Sequence, residues 1–212
     1  MQPDVTLYLV TNRYEYSIEK FLSVVESACL NGVTMVQLRE KELSTREFYE
    51  LALAVKKITK RYGIPLIIND RIDICLAVNA DGLHIGDDDI PVSVARKILR
   101  PEQILGVSAK TVLRAVTAQE EGADYLGTGA IFPTKTKQTT RTSLDTLDKI
   151  TNSVTIPVVA IGGITEAKIK KFTGINIAGI CMVSEIMEAE NVEKKVKSLK
   201  KSVCQLLRGE GV

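Results

Sequence analysis

The chain has 212 residues, 45% of them apolar and 25% charged, a globular composition that excludes a collagen-like, low-complexity or disordered protein. Its 28 basic and 26 acidic side chains leave a net charge of +2, which argues against a surface that binds nucleic acid or an anionic membrane. The four cysteines are widely spaced and the chain has one histidine, which excludes a zinc site of the usual spacing. No apolar run approaches the ~20 residues of a membrane span. We therefore expect a cytoplasmic protein with reduced thiols.

Short apolar runs alternate along the chain with longer segments of helical period, and continuous apolar runs are typical of strands buried on both faces of a parallel sheet. The predicted strands are Val5–Val10, Val33–Leu38, Pro65–Ile68, Gly82–Ile85, Ile104–Val107, Tyr125–Gly127, Pro157–Ile161 and Ala178–Val183. The predicted helices are Ser17–Asn31, Ser44–Arg61, Ile72–Asn79, Val92–Leu99, Val112–Glu121, Leu144–Asn152, Glu166–Phe172 and Val192–Leu207. Ser44 and Glu47 form a capping-box pattern, and Ser17 and Thr165 are expected to be N-caps.

Strict alternation of strand and helix predicts a parallel sheet with right-handed crossovers. Eight such units favour closure into a barrel over a doubly wound open sheet, which usually has fewer strands. Since no linker or composition shift marks a second domain, we expect residues 1–212 to form a single α/β domain, a (β/α)₈ TIM barrel. The polar segment Phe132–Thr142, rich in Thr and Lys, is predicted to be a mobile lid.

Polar residues follow the predicted strands two to eight, where active sites of these barrels lie. They are Gln37, Arg39, Glu40, Lys41, Asn69, Asp70, His84, Asp87, Asp88, Asp89, Ser108, Thr134, Lys135, Thr136, Lys137, Gly162, Gly163 and Ser184. We therefore expect the strand ends to surround one polar mouth.

The last two strands predict a phosphate site. Gly162-Gly163 is expected to open the seventh helix and Ser184 the eighth, and backbone N–H groups at helix N-termini bind phosphate well. Loops seven and eight are also where phosphate sites of this fold recur. The alternative is that the glycine pair only makes a tight turn between strand and helix.

Strands two to four predict a second, charged site. Arg39 and Lys41 lie two residues apart on one extended face, so both can point into the mouth. Asp70 and Asp89 would repel a phosphate unless a metal intervened, and Mg²⁺ prefers one or two carboxylates plus phosphate oxygens and water. In the alternative readings Arg39 pairs with a neighbouring acid such as Glu40, and Asp89 only caps the fourth helix. For His84, an ordered residue of the barrel interior is favoured over a general base.

Six motifs, in order and spread over nearly the whole chain, resemble those of thiamine phosphate synthase. They are Gln37-x-Arg39-x-Lys41, Asn69-Asp70, Gly82-Leu83-His84-Ile85-Gly86 with Asp89 beyond it, Gly106-Val107-Ser108-Ala109, Phe132-Pro133-Thr134-x-Thr136-Lys137 and Ile161-Gly162-Gly163-Ile164. The resemblance implies a transferase that joins 4-amino-2-methyl-5-(diphosphooxymethyl)pyrimidine to 4-methyl-5-(2-phosphoethyl)thiazole and releases diphosphate and thiamine phosphate.

The resemblance also implies roles for residues. The pyrimidine diphosphate is expected to contact Gln37, Arg39, Lys41, Asn69, Ser108 and Lys137, with Leu38 and Glu40 of the same motif beside them. The thiazole phosphate is expected to contact Thr134, Lys135, Thr136, Gly162, Val183 and Ser184. Asp70 and Asp89 are expected to hold Mg²⁺, while Lys137, Arg39, Lys41 and Ser108 assist the reaction. In this family diphosphate is thought to leave before the thiazole nitrogen captures a pyrimidine-stabilised cation, a route that needs no strong base.

Two other functions stay open at this stage. A related thiazole tautomerase would handle only the thiazole phosphate and would not need the diphosphate and metal residues. A non-catalytic barrel that binds thiazole phosphate as a regulator would not need them either. The expected partners are small phosphorylated substrates, without nucleic acid or membrane, and a homo-oligomer is an open option.

Overall fold

A computed structural model describes residues 2–134 and 140–210. Eight parallel strands close into a barrel in chain order, with the first strand hydrogen-bonded to the last. The strands are β1 (Leu7–Val10), β2 (Met35–Leu38), β3 (Leu66–Asn69), β4 (Gly82–Ile85), β5 (Ile104–Ser108), β6 (Tyr125–Thr128), β7 (Val158–Ile161) and β8 (Gly179–Met182). The predicted (β/α)₈ barrel is confirmed.

Helices surround the barrel and connect successive strands. They are α1 (Ile18–Asn31), α2 (Thr45–Arg61), α3 (Ile72–Ala77), α4 (Val92–Ile98), α5 (Val112–Glu120), α6 (Leu144–Thr151), a 3₁₀ helix (Glu166–Phe172), α7 (Ser184–Met187) and α8 (Val192–Leu207). Ser17 caps α1, and Ser44 and Glu47 form the predicted capping box at α2. Thr165 occupies the predicted N-cap position of the 3₁₀ helix, where its backbone carbonyl accepts from Lys168 N, but its side chain makes no capping bond.

Two expectations about the last helices need correction. Ser184 opens the four-residue helix α7, and the long helix α8 begins separately at Val192, where Asn191 is the N-cap. Gly162 and Gly163 do not open a helix either, since both have a positive φ (98° and 62°) and the 3₁₀ helix starts at Glu166. A left-handed backbone cannot be continued as a right-handed helix. Ser184 and the glycines nevertheless lie at the ends of β8 and β7, as expected.

Successive strand residues face two separate cores, as the two-residue period of a strand requires. Outward side chains such as Leu7 and Leu9 pack beneath the helices. Inward side chains fill the barrel, and they are Val5, Tyr8, Val10, Met35, Ile67, Tyr125, Val159 and Cys181. The barrel is therefore a packed body whose open end lies at the carboxyl ends of the strands.

The cysteines carry no cross-link: Cys29, Cys75 and Cys181 are buried free thiols, and Cys204 is a free, partly exposed one. Within residues 2–134 and 140–210, no helix is both long and apolar enough to cross a lipid bilayer.

Candidate active site

The carboxyl ends of the strands surround a cavity of about 400 Å³. Among the residues that line it are eight of the predicted substrate contacts, Gln37, Arg39, Asn69, Ser108, Thr134, Gly162, Val183 and Ser184. The structure thus brings together side chains that are up to 147 positions apart in the sequence. These side chains form two distinct parts of the mouth.

The first part, the charged half, consists of Arg39, which lines the cavity, and of Lys41, Asp70 and Asp89, which are not among its lining residues but follow or adjoin lining residues in the chain. Directly after β3 the chain turns at Asp70, whose φ of +61° is a left-handed conformation rare for a non-glycine residue. This turn presents the Asp70 carboxylate to the ammonium of Lys41, which donates a hydrogen bond to its Oδ2. Backbone strain of this kind is common at ligand-binding positions.

Asp70 and Asp89 lie close enough to share a hydrogen bond. Burial raises the pKa of Asp70, but the bonds from Lys41 and Asp89 outweigh it and leave that pKa below its ordinary value. Burial and the neighbouring Asp70 carboxylate hold the pKa of Asp89 above its ordinary value, against the Gly86 N–H that donates to Asp89 Oδ2 at 2.7 Å. The environment therefore favours the ionised form of Asp70 more than that of Asp89.

This donor set suits Mg²⁺, which takes one or two carboxylates and completes its shell with water and substrate phosphate oxygens. A cation between Asp70 and Asp89 would replace their shared proton. Across the described ranges, 2–134 and 140–210, no cluster of three or more Asp, Glu, His or Cys side chains could hold a metal by itself. The pair therefore fits a cation shared with a phosphorylated ligand, not one caged by protein alone.

The structure also distinguishes the three adjacent acids that the sequence left equivalent. Asp87 pairs with Arg114 on α5, with 3.1 Å between Oδ1 and Nε. Only Asp89 faces Asp70, and it does not cap α4, because Pro91 occupies the N-cap position of that helix. The alternative in which Asp89 serves only as a cap is wrong.

Successive side chains along β2 and the residues after it point to opposite faces, which explains which residues of the Gln-x-Arg-x-Lys motif reach the cavity. Gln37 and Arg39 point inward, and Arg39 N is held by Thr11 Oγ1 at 3.1 Å. Leu38 points outward into the helix-facing core, so its side chain does not contact the cavity as expected. Glu40 is not among the lining residues either, and its carboxylate lies 3.7 Å from Arg13, so its ion pair is with Arg13 and not with Arg39, while its expected substrate contact stays a prediction.

The second part, the backbone half, consists of Gly162, Gly163 and Ser184. A Cβ at Gly162 would lie 2.5 Å from the Cα of Ala130, and one at Gly163 would lie 2.3 Å from the carbonyl oxygen of Pro133. The positive φ and the close approach of the loop after β6 both require glycine here. Both glycines and Ser184 line the cavity, so the backbone half offers main-chain groups and one hydroxyl, and the Lys168 ammonium donates to the Gly163 carbonyl oxygen at 2.7 Å.

Part of the loop after β6 lies outside the described residues, including the predicted contacts Lys135, Thr136 and Lys137 and most of the predicted lid. The described residues on either side, Thr134 and Thr140, line the cavity. On one side, Phe132 N donates to Gly162 O at 2.9 Å and the Phe132 ring packs edge-on against Phe172 at 5.9 Å. The loop thus begins against the backbone half.

Known proteins resemble this chain in sequence as well as in fold. The family model described as thiamine monophosphate synthase matches residues 7–186. The chain belongs to the thiamine monophosphate synthase family.

Relatives of this family match nearly the full length. The chain is 58% identical over 207 residues to the thiamine-phosphate synthase of Enterococcus faecalis, covering 98% of each chain. It is 58% identical over 202 residues to thiamine-phosphate synthase 2 of Streptococcus pneumoniae, covering 95% of this chain and 96% of the relative. The solved thiamine phosphate pyrophosphorylase of Pyrococcus furiosus superposes with a TM-score of 0.86 at 38% identity, covering 96% of this chain and 98% of that one. The predictions of the family and of an enzyme, a transferase of thiamine biosynthesis, are confirmed.

Sequence reasoning missed several cavity residues of this family member. Tyr8 lines the floor and Lys110 lies beyond the end of β5, two residues after Ser108. A cation at that spacing after a strand is a signal that could have been used. His84 was correctly predicted as an ordered interior residue: its ring nitrogens lie 2.9 Å from Tyr125 Oη and 3.1 Å from Ser108 Oγ.

Proposed function

We propose that this chain condenses 4-amino-2-methyl-5-(diphosphooxymethyl)pyrimidine with 4-methyl-5-(2-phosphoethyl)thiazole to give thiamine phosphate and diphosphate. The observation that carries the proposal is that two unlike anion-binding halves adjoin one cavity of about 400 Å³, which Arg39 of the charged half and Gly162, Gly163 and Ser184 of the backbone half line. A reaction between a diphosphate and a monophosphate needs both. The similarity to thiamine-phosphate synthases over 98% of the chain supports the same activity.

The charged half would bind the pyrimidine diphosphate. The Arg39 guanidinium can hold two phosphate oxygens at once, whereas Lys41 is a mobile point charge. Lys137, outside the described residues, would add a third cation. When the bond between the methylene carbon and the diphosphate oxygen breaks, the electron pair stays on the oxygen, and these cations stabilise the growing negative charge.

We further propose that Asp70 and Asp89 hold Mg²⁺, and that Arg39, Lys41 and Lys137 complete the neutralisation of the diphosphate. The bound ion would supply charge neutralisation for the departing group. Lys41 already donates to Asp70, so this lysine would move between the carboxylate and the phosphate oxygens as the ligand binds.

The backbone half would bind the thiazole phosphate through the N–H groups near Gly162 and Gly163 and through the Ser184 hydroxyl. The thiazole nitrogen then uses its own lone pair to form the new bond to the methylene carbon. Val159, Ile161 and Val183 also line the cavity, and such apolar walls protect a cationic intermediate from water. No base is required for bond formation.

We also propose the kind of ligand, the compartment and the assembly. The net charge of +2 and the small cavity support phosphorylated small molecules as the ligands, without nucleic acid or membrane partners. Four free thiols support a reducing compartment such as the cytoplasm. A homo-oligomer is proposed as the assembly, to be tested by light scattering.

The decisive experiment is incubation of the purified protein with both precursors and Mg²⁺, with thiamine phosphate and diphosphate measured as products. Equal amounts of both products are expected, and none when either precursor is omitted. A tautomerase would alter the thiazole phosphate alone, and a non-catalytic binder would bind it without forming any product. Either result would overturn the proposed function.

A further inference from the structure

Five polar side chains, here called the interior chain, form a continuous series of hydrogen bonds across the barrel. Gln37 Nε2 donates to Tyr8 Oη at 2.7 Å, and Tyr8 Oη lies 2.7 Å from Tyr125 Oη. Tyr125 Oη lies 2.9 Å from His84 Nδ1, and His84 Nε2 lies 3.1 Å from Ser108 Oγ. Gln37, Tyr8, His84 and Ser108 line the cavity, and Tyr125 is buried in the barrel.

The neighbouring strands make room for this chain. A Cβ at Gly106 on β5 would lie 2.2 Å from the Tyr125 ring, and one at Gly127 on β6 would lie 3.2 Å from the His84 ring. The two tyrosine rings meet edge to face, with centroids 5.8 Å apart. Glycine in the middle of a strand weakens it, and one reason to keep it there is the close approach of another group.

The hydrogens that each group carries are used to assign the donor and the acceptor in every bond of the interior chain. Burial raises the pKa of Tyr8 and of Tyr125 well above the ordinary phenol value, so each keeps one hydrogen. Tyr8 accepts from Gln37, and either hydroxyl of the tyrosine pair can be the donor, so we assign the hydrogen of Tyr8 to Tyr125. With that assignment Tyr125 gives its hydrogen to His84 Nδ1, which is then the accepting nitrogen.

An accepting Nδ1 leaves the hydrogen of a neutral imidazole on Nε2. That nitrogen donates to Ser108 Oγ, so the oxygen of Ser108 is occupied as an acceptor while its own hydrogen is not used by His84. The hydroxyl hydrogen is therefore available toward the cavity. Such a hydroxyl is a donor prepared for an anionic oxygen.

We propose that Tyr125 is a positioning residue, which fixes His84 as the Nε2–H tautomer and thereby orients the hydroxyl hydrogen of Ser108 toward an anionic oxygen of the substrate. This inference rests on the proposed function only for the identity of that substrate. The tautomer itself is a property of the free protein, so its test is independent of any activity.

In the competing arrangement, the hydrogen bonds of the interior chain run in the opposite direction. If Gln37 presented its side-chain oxygen to Tyr8, every hydrogen of the interior chain would reverse, and the proton of His84 would lie on Nδ1. Ser108 would then donate to His84 Nε2 and have no hydrogen left for the substrate. The two arrangements differ in one observable, the nitrogen that carries the histidine proton.

The first test is nitrogen-15 NMR of the substrate-free protein. His84 is the chain's one histidine, so its two ring nitrogens need no assignment against others. We expect a protonated Nε2 and an unprotonated Nδ1 at neutral pH. A proton on Nδ1, or on both nitrogens, would overturn the proposal.

Two matched variants show whether Tyr125 is the cause. Tyr125→Phe removes the donor to Nδ1 and should shift the population toward the Nδ1–H tautomer. Tyr8→Phe removes an equally buried hydroxyl but leaves Tyr125 in contact with His84, so any shift of the tautomer should be smaller than in Tyr125→Phe. An unchanged tautomer in Tyr125→Phe, or an equal shift in both variants, would contradict the assigned role.

Kinetics then test the connection to Ser108. Tyr125→Phe should lower kcat by roughly 3- to 10-fold, the scale of one hydrogen bond, with little change in KM. In a Ser108→Ala background the same substitution should cause no further loss, because residues that act through one contact are not additive. An equal loss in both backgrounds would show that Tyr125 does not act through Ser108. If Tyr125→Phe does not fold, the tautomer of the native protein still decides the proposal.

Discussion

The charged half and the backbone half of the mouth face one cavity but are built from different groups. The charged half uses the side chains of Arg39, Lys41, Asp70 and Asp89, several of which already bond to one another. In the backbone half the groups offered are the peptide units around Gly162 and Gly163 and one hydroxyl, Ser184. The difference matches the tasks proposed for them, since one half must respond to a charge that grows during the reaction and the other only anchors a phosphate that does not react.

The comparison also has a consequence for kinetics. Interactions that strengthen as charge develops lower the barrier, whereas interactions that are equal in ground and transition states only improve binding. Substitutions in the charged half should therefore lower kcat, and those in the backbone half should raise the KM for the thiazole phosphate. Four substitutions test this division.

Lys137→Ala should have the largest effect. We expect kcat to fall by about 10²–10³-fold, as for the loss of one preorganised donor to a developing oxyanion. The affinity for the pyrimidine diphosphate should change little, since the contact matters most as diphosphate departs. Lys149→Ala on α6, where Lys149 pairs with Asp145 on an exposed surface, is the control and should retain full turnover. A near-normal kcat in Lys137→Ala would show that Lys137 does not act on the departing diphosphate.

Asp70→Asn should lower activity by roughly 10–100-fold, on the scale that partners of metal ligands contribute, and excess Mg²⁺ should restore part of it. The control is Asp73→Asn, which removes a carboxylate that also lies between β3 and β4 but pairs with Arg71 outside the cavity. Steady-state rates of both variants over a range of Mg²⁺ concentrations provide the measurement. Full turnover of the native protein in excess EDTA would contradict a metal in the charged half.

Gly162→Ala should destabilise the fold by roughly 1–3 kcal/mol, the cost of a strained left-handed residue, and should weaken thiazole phosphate binding. Gly174→Ala is the matched control, because Gly174 also has a positive φ (85°) but a Cβ there would meet nothing within 4 Å. Denaturant unfolding and substrate titration of both variants separate backbone strain from crowding. Equal thiazole affinity in the two variants would show that the backbone half does not depend on the close approach at Gly162.

Ser184→Ala should have the smallest effect. It should weaken thiazole phosphate binding by roughly 1–2 kcal/mol, the scale of a hydrogen bond to a charged group, and leave pyrimidine diphosphate binding unchanged. Ser153→Ala, which removes an exposed hydroxyl bonded to Lys149 O, serves as the control. Equal losses for both substrates would indicate that Ser184 supports the structure instead.

The sequence was sufficient for the barrel and for most of the mouth because both depend on local patterns. Eight apolar runs separated by amphipathic segments predict the parallel strands, and the strand-end rule alone selects Arg39, Asp70 and Ser184. The glycine pair was predicted as part of a phosphate site, although its left-handed turn was not. That turn arises from contact with the loop after β6, which no local pattern reveals.

Features that depend on register across the barrel could not be predicted. The choice of Asp89 over Asp87 depends on Arg114, which lies on another helix. The interior chain joins Tyr8, Tyr125 and His84 from three strands, and only the closed barrel brings them within hydrogen-bonding distance. Leu38 and Glu40 were assigned to the substrate because the motif is contiguous, whereas strand alternation turns the Leu38 side chain away from the cavity.

The division of the mouth into a charged half and a backbone half is tested most directly by calorimetric titration of the native protein with each substrate alone, once with Mg²⁺ and once in excess EDTA. The account predicts that removing the metal weakens binding of the pyrimidine diphosphate by at least about 10-fold and leaves binding of the thiazole phosphate unchanged. Loss of metal that weakened both substrates equally, or neither, would contradict the separation of the mouth into a charged half and a backbone half.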